Sequence, residues 1–398
     1  MVGELSKLRF GRFRFRLRAV TALRLPPYKG STLRGGFGIA FKEAVCVVDH
    51  GDCERCILRT KCAYPYVFET PVPNGSRRMA SLEHAPHPFV IEPPLDRRTD
   101  YAEGDAFDFD VVLVGRAIDY LPYFIFAFEQ LGQRRGIGKA LSGRHGAGGE
   151  RGDRATATEN EHERRARSAA RGRFTVEAVD VLNGSGASTL AYDGRTKALC
   201  NNIEPQTIAS TFPRPLGEAC PEPGRRSQGE GITREGVLSS IRHPNTQHPT
   251  PDTRLTISFL TPTRLVFDRA LATVPEFHIV IRNLLRRLSN LAYFHCDGEL
   301  DLDFRGLVEA AEQVNLVENR TRWHDWERYS ARQDAKLKMG GMVGEAVYEG
   351  EVEQFMPLLA LGEVLHVGKG TGMGLGRYAV CLADEDSRVG NHRPGRAL

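Results

Sequence analysis

The chain has 398 residues with 54 Lys+Arg against 50 Asp+Glu, a formal net charge of +4, 41% hydrophobic residues and 26% charged residues. That is ordinary globular composition, which excludes a collagen, a coiled coil and a wholly disordered chain; at roughly 100–200 residues per domain the length points to two domains. The charge is unevenly spread. Residues 1–45 hold ten Lys/Arg against two Asp/Glu, 131–173 eleven against five and 253–290 six against two, whereas 101–130 and 291–330 each come to −5. Segregation of this kind favours a polyanionic partner more than the total charge does. The N-terminus runs straight into basic sequence with no apolar leader core, the longest apolar stretch is Leu121 to Phe128, and the cysteines number eight. A cytoplasmic protein with no membrane partner and no disulfide scaffold is therefore expected.

The first element is a strand. Arg12, Arg14, Arg16 and Arg18 alternate with Phe13, Phe15, Leu17 and Ala19, and period two sends the apolar set to one face and four guanidiniums to the other. Leu8 and Phe10 carry the opposite phase, and the switch at Gly11 predicts a bulge. Four arginines in a row with no acidic partner leave two readings open, a solvated outer face and contact with RNA or DNA.

Pro26-Pro27 ends the strand region, and a helix is expected over Thr32–Val45 with Leu33, Phe37, Phe41 and Ala44 on one face. A cysteine-rich segment follows. The Pro-rich stretch from Tyr64 to Pro94 reads as extended loop. Phe107–Val114 is the next strand, Asp119 is placed to cap a helix over Tyr120–Leu131, Gly132–Lys139 is a Gly/Arg turn, and Arg173–Leu182 is a further strand. Residues 140–172 hold one large aliphatic residue, Leu141, and read as a mobile insertion; residues 195–252 read as a long linker.

Order resumes at Arg254, where Leu255, Ile257 and Phe259 alternate until Pro262. Pro275 opens a helix with Phe277, Ile281, Leu284, Leu288 and Leu291 as its apolar stripe, and Arg282 and Arg286 stand four apart on another face. A β-like region spans Trp326–Tyr348, a short helix Val352–Leu361 and a final strand Arg377–Leu382. Strand, helix, Gly/basic turn and strand thus occur twice, each set preceded by another strand and helix. Each half reads β-α-β-β-α-β. The expected fold is α+β, two tandem ferredoxin-like domains with antiparallel sheets. The expected division is an N-terminal domain over 1–183, irregular linker over 184–252, a C-terminal domain over 253–384 and a tail over 385–398.

Three local features carry chemistry. The loop Gly368-Lys369-Gly370-Thr371-Gly372-Met373-Gly374-Leu375-Gly376-Arg377 is neither a Walker A loop nor G-x-G-x-x-G. Glycine at every second position brings a backbone close to a partner, and exposed N–H groups between Lys369 and Arg377 suit phosphate; the other reading is tight packing against the domain itself. Cys46, Cys53, Cys56 and Cys62 form C-x6-C-x2-C-x5-C, a knuckle that suits structural zinc ahead of an iron–sulfur cluster, with Cys46 open to a plain core role. Among the histidines, His50 follows the first helix, His366 precedes the Gly-rich loop and His324 sits between Trp323 and Trp326. Each, taken alone, is more often structural than catalytic, though imidazole is the natural base where no carboxylate cluster exists.

Several stretches together resemble a family. These are Leu33-Arg34-Gly35-Gly36-Phe37-Gly38 before the cysteines, Phe259-Leu260-Thr261-Pro262 leading to Leu284-Leu285-Arg286-Arg287-Leu288, Tyr329-Ser330-Ala331-Arg332-Gln333, and His366 through Tyr378. They are similar to the CRISPR-associated endoribonuclease that processes precursor CRISPR RNA, the sixth Cas protein, of the RAMP superfamily. The resemblance spans residues 8–139, 172–183 and 253–383; the C-terminal motifs are the specific part.

It implies two RAMP domains around a cleft for repeat RNA, and metal-independent cleavage in which a ribose 2′-hydroxyl attacks the adjacent phosphate to leave a 2′,3′-cyclic phosphate. It implies no catalytic cofactor. The partners it implies are CRISPR repeat RNA and other Cas proteins of an effector complex. The family's catalytic residues lie near the first helix, where this sequence offers Tyr28, Lys29, Lys42 and His50. The expectation is His50 as general base or acid, with Tyr28 as orienter and Lys29 as charge stabiliser. RNA contacts are expected from Arg12, Arg14, Arg16, Arg18, Arg34, Arg282, Arg286, His366, Gly368, Lys369, Gly370, Gly372, Gly374, Gly376 and Arg377. The rival is a non-catalytic RNA-binding RAMP subunit; a more distant one is a generic basic RNA-binding module.

Overall fold

The computed structural model describes residues 1–48, 52–72, 85–141, 170–183, 188–200, 205–207, 254–330 and 335–383. In the first unit β1 (Phe10–Ala19), α1 (Gly30–Val45), β2 (Phe89–Glu92), β3 (Ala106–Val114), α2 (Leu121–Gln130) and β4 (Phe174–Leu182) follow one another. Their strands pair antiparallel in the order β2-β3-β1-β4. That is the ferredoxin-like arrangement, in which each β-α-β leaves a gap that the next strand fills.

The alternation in β1 sends Phe13, Phe15 and Leu17 onto the helices. There they meet Phe37 and Phe41 of α1 and Phe124 and Phe128 of α2, with Phe37 stacked on Phe128 at 4.7 Å between centroids. The sheet continues beyond β4 through β5 (Ser188–Asp193) and β6 (Ala198–Leu199). This corrects the expectation of irregular chain from residue 184. Ala191 and Tyr192 are buried, and the Tyr192 hydroxyl donates to Glu129 of α2 at 2.6 Å.

The second unit repeats the plan. β7 (Arg254–Thr263), α3 (Phe277–His295), β8 (Asn315–Asn319), β9 (Gly341–Glu349), α5 (Met356–Leu365) and β10 (Tyr378–Ala383) give an antiparallel sheet in the order β8-β9-β7-β10. An additional helix, α4 (Phe304–Ala311), precedes β8; Asp303 caps it by accepting from the Gly306 N–H at 2.9 Å.

Three sequence expectations are corrected. The Pro-rich stretch contains β2, whose four residues are all buried, because it is the outer strand of the ferredoxin order and is covered by the second unit. Asp119 caps no helix: a tight turn over Gly115–Tyr120 precedes α2, which starts without a side-chain cap. Gly11 carries no bulge. Its ladder with β3 runs unbroken from Phe10↔Val114 to Arg18↔Ala106, and the irregularity in β1 lies instead between Arg16 and Leu17, against β4.

The phase switch at Gly11 has a tertiary cause. Leu8 and Phe10, with Val90, Val112 and Val114, face away from α1 and α2 and join the core of the second unit beside Ile257, Phe259 and Leu284. One end of the first sheet is therefore buried on both faces, which produces near-continuous apolar runs where a one-sided sheet would alternate.

Candidate functional site at the seam between the units

The Gly-rich loop lies on this seam. Thr261, from the Phe259-Leu260-Thr261-Pro262 stretch at the end of β7, donates its hydroxyl to the Gly374 carbonyl at 2.8 Å and accepts from the Arg377 N–H at 2.9 Å. The turn thus pinned presses onto the first unit. Gly374 has φ +80°, and a Cβ there would strike the Ile91 carbonyl and the Pro93 ring; at Gly376, with φ +74°, it would strike the Val367 carbonyl.

Several backbone donors are spent internally: Lys369 N–H on Arg264, Met373 N–H on Gly370, Gly374 N–H on Thr371 and Gly376 N–H on Pro262. Residues 371–376 are buried, Gly368 and Gly370 are half-buried and Lys369 is exposed. The loop therefore owes Gly374 and Gly376 to packing, Gly372 is buried with them, and the expectation of an open phosphate cradle through these three is corrected. Lys369 remains at the surface.

His366, ahead of the loop, is fully buried. Its Nδ1 lies 3.0 Å from the Leu375 carbonyl and its Nε2 2.9 Å from Oε1 of Glu92 on β2. Glu92 Oε2 accepts from Arg12 at 2.7 Å, Arg12 also lies 3.1 Å from Asp110, and Arg14 donates to Asp110 at 2.8 Å. Burial by itself would raise the Glu92 carboxyl, but Arg12, Arg377 and the His366 hydrogen bond outweigh it and hold the group well below the usual carboxylate range. Burial pushes His366 down against the pull of Glu92. His366 is thus a strut between the units and not an RNA contact.

The arginine strand is likewise paired. Arg16 lies 2.6 Å from Asp180, and Arg18 is ion-paired with Glu177. Each of the four guanidiniums has a carboxylate across the sheet, so the expectation of arginines without acidic partners is corrected. The signal was present in sequence: Asp108 and Asp110 alternate in β3 as the arginines do in β1, and the antiparallel register sets Arg14 opposite Asp110 and Arg16 opposite Asp108.

At the start of α1 the Tyr28 hydroxyl donates to the Met373 carbonyl at 2.7 Å, and its ring packs on Trp326 at 5.1 Å. Burial pushes the phenol well above its ordinary pKa, so Tyr28 stays protonated and can donate but not act as a base. Lys29 is 1% exposed, with Nζ 3.1 Å from both the backbone carbonyl and Oδ1 of Asp96. That pairing corrects its expected role as a free cation for a phosphate. Arg377 is half-buried beside this group, and its guanidinium has no hydrogen-bond partner among the described residues; its charge bears on Tyr28, Glu92 and His366. His50 lies outside the described residues. Arg34 stacks over Phe68 at 5.1 Å.

A second clasp crosses the seam at His295, the last residue of α3. Its Nε2 lies 2.8 Å from the Pro86 carbonyl and its Nδ1 3.2 Å from the Tyr66 hydroxyl. Burial first, then the charges of Arg116 and Arg287, push it down to about 4.

The expectation of a structural zinc at the cysteines finds no support among the described residues. Cys46 closes α1, Cys53, Cys56 and Cys62 lie in the following turns, all four are half-buried free thiols, and burial raises Cys53. Among the described residues no group of three or more His, Cys, Asp or Glu is placed to hold a metal ion. No helix among them is long and apolar enough to cross a membrane.

Comparison with known proteins gives two family matches. Residues 8–204 match the family model AF_1859_N, described as an N-terminal domain, and residues 257–378 match that of the CRISPR-associated endoribonuclease Cas6. An uncharacterized protein of Archaeoglobus fulgidus is 28% identical over 109 residues, which are 27% of this chain and 36% of that protein; the match spans about a third of the relative's length. Among solved structures, Thermus thermophilus Cas6 is 13% identical with a TM-score of 0.42, covering 94% of this chain and 98% of the other. A partial Cas6-RT-Cas1–Cas2 complex is 12% identical with a TM-score of 0.46, covering 95% and 47%.

Proposed function

Taking as premise that residues 257–378 form a domain of the CRISPR-associated endoribonuclease Cas6 family, we propose that the protein cuts CRISPR repeat RNA within its precursor transcript, and that it does so without a metal. The family match over the C-terminal domain carries this reading. Repeat RNA and other Cas proteins are the proposed partners. The chemistry is attack of a ribose 2′-oxygen on the adjacent phosphorus. His50 takes the 2′-hydroxyl proton, the P–O5′ bond breaks as the P–O2′ bond forms, and the 5′-oxygen leaves with a proton from an acid. The ends are a 2′,3′-cyclic phosphate and a 5′-hydroxyl.

Support for a site near the start of α1 comes from the chain itself. Tyr28, its hydroxyl donated to the Met373 carbonyl, packs beside the Trp326 ring, which offers an aromatic surface for a base. Arg377 is the unpaired cation nearest this group and takes the part first expected of Lys29, stabilising charge on the pentacoordinate phosphorus. Exposed Lys369 adds attraction for the backbone.

The test is single-turnover incubation with cognate repeat RNA in EDTA. One defined cut ending in a cyclic phosphate is expected, and His50→Ala should slow it far more than it weakens binding. Tight binding without any cut overturns the enzyme reading and leaves an RNA-holding subunit.

A further inference from the structure

Away from the seam, the second unit holds a cavity of about 580 Å³ between α3, α4 and a two-stranded hairpin, Val266–Phe267 with Ala270–Leu271. That volume lies within the range of roughly 300–1,000 Å³ of small-molecule sites. Its apolar lining comes from Phe267, Leu285, Phe304 and Val308.

Three arginines reach it. Arg282 lies over the Phe267 ring, its guanidinium 5.8 Å from the ring centroid and bonded to Glu312 and His278. Arg269, at the hairpin tip with φ +64°, and Arg286, on the exposed side of α3, are different. Neither has a carboxylate partner among the described residues, and Arg286 bonds only to Asn283, at 2.9 Å. Asp268 is the acid among the lining residues.

We propose that this pocket binds a nucleotide, with the base against Phe267 and Phe304 and the phosphate on Arg269 and Arg286. An apolar wall backed by a stacked guanidinium suits a planar ring, and two uncompensated guanidiniums at the mouth suit a phosphate. The same inventory says that the base is read poorly. Asn283 spends Oδ1 on the Val266 N–H and Arg286, and Nδ2 on the Val266 and Ile279 carbonyls. Ser289 lies 3.4 Å from the Arg286 carbonyl. No uncommitted amide is left to recognise a base edge, so stacking dominates and purines and pyrimidines both bind. The nucleotide has two sources, a free mononucleotide or an unpaired residue of a bound RNA. Only the second rests on the function proposed above.

The experiment titrates the full chain with AMP, UMP and inorganic phosphate by calorimetry, then repeats it with R269A/R286A, both sites being exposed and outside the core. AMP and UMP should bind within a few-fold of one another, at least tenfold more tightly than phosphate alone, and at least tenfold more weakly to the double variant. A second arm compares repeat RNA with and without a single-stranded extension. If RNA is the source, the double variant loses the affinity contributed by the extension; if a free nucleotide is the source, the two RNAs respond alike. A folding control is Phe304→Leu, which keeps both arginines and should weaken AMP without changing phosphate. Absence of nucleotide binding, or binding untouched by R269A/R286A, overturns the proposal. Failure of the chain to cut any RNA leaves the mononucleotide result standing and overturns only the earlier reading.

Discussion

The two units share one topology but use the outer faces of their sheets differently. In the first unit, β1 presents arginines at every second position, and β3 and β4 answer with Asp110, Asp180 and Glu177. In the second, β7 presents Thr256 and Ser258 at the equivalent face, and Ser258 meets Glu345 at 3.3 Å. A basic strand is therefore not in itself a polyanion site, because the register of its neighbours decides whether its charge is available. The first unit turns part of this lattice inward, where it becomes the joint with the second unit through Glu92 and His366. In the second unit, Arg377 and Lys369 at the seam and Arg269 and Arg286 at the pocket form no ion pair among the described residues.

Four measurements would break or sharpen that contrast. The largest effect is expected at the buried end of the lattice. Glu92→Ala leaves Arg12 and His366 without their shared carboxylate and should lower stability in urea by about 3–5 kcal/mol. A loss under about 1 kcal/mol would mean that the joint is not held by this network.

Acid should come next, through His295. Its folded value of about 4 lies below the ordinary 6.5, so the unfolded chain binds more protons between those values. Stability should be level above pH 7 and fall by about 3 kcal/mol on the way to pH 4. His295→Asn should remove its own share of that loss, while the share of His366, which burial also pushes down, and the loss at lower pH that protonation of Glu92 brings remain. An unchanged profile would remove His295 as the origin.

Gly374→Ala forces a Cβ into Ile91 and Pro93 at positive φ. It should cost about 2 kcal/mol, read as a lower urea midpoint at constant slope, and the same substitution at the open Gly35 should cost much less. The smallest effect is expected on the exposed part of the lattice. Arg18→Ala, whose partner Glu177 is itself exposed, should change stability little and leave the salt dependence of RNA binding unaltered, whereas Arg377→Ala should flatten it. The reverse ranking would return the RNA face to the arginine strand.

The local sequence determined much of the fold. Period-two and period-3.6 patterns locate β1, β3, β4, α1, α2 and α3 within one to three residues, and their repetition gives the duplicated β-α-β-β-α-β plan. β2 escaped because three apolar residues and a glutamate inside a Pro-rich stretch have no period, all four being buried. β5 escaped because its short run is embedded among small polar residues.

What only the tertiary structure decided is which surfaces meet. The sequence shows a phase switch at Gly11 but not that the second unit covers Phe10. It shows four arginines, but not that Asp110, Asp180, Glu177 and Glu92 stand opposite them. It shows the glycines of the loop, but not that Ile91 and Pro93 press against Gly374. Local patterns record whether a side chain is buried; its partner depends on register and on docking between segments far apart in the chain, which no local pattern encodes.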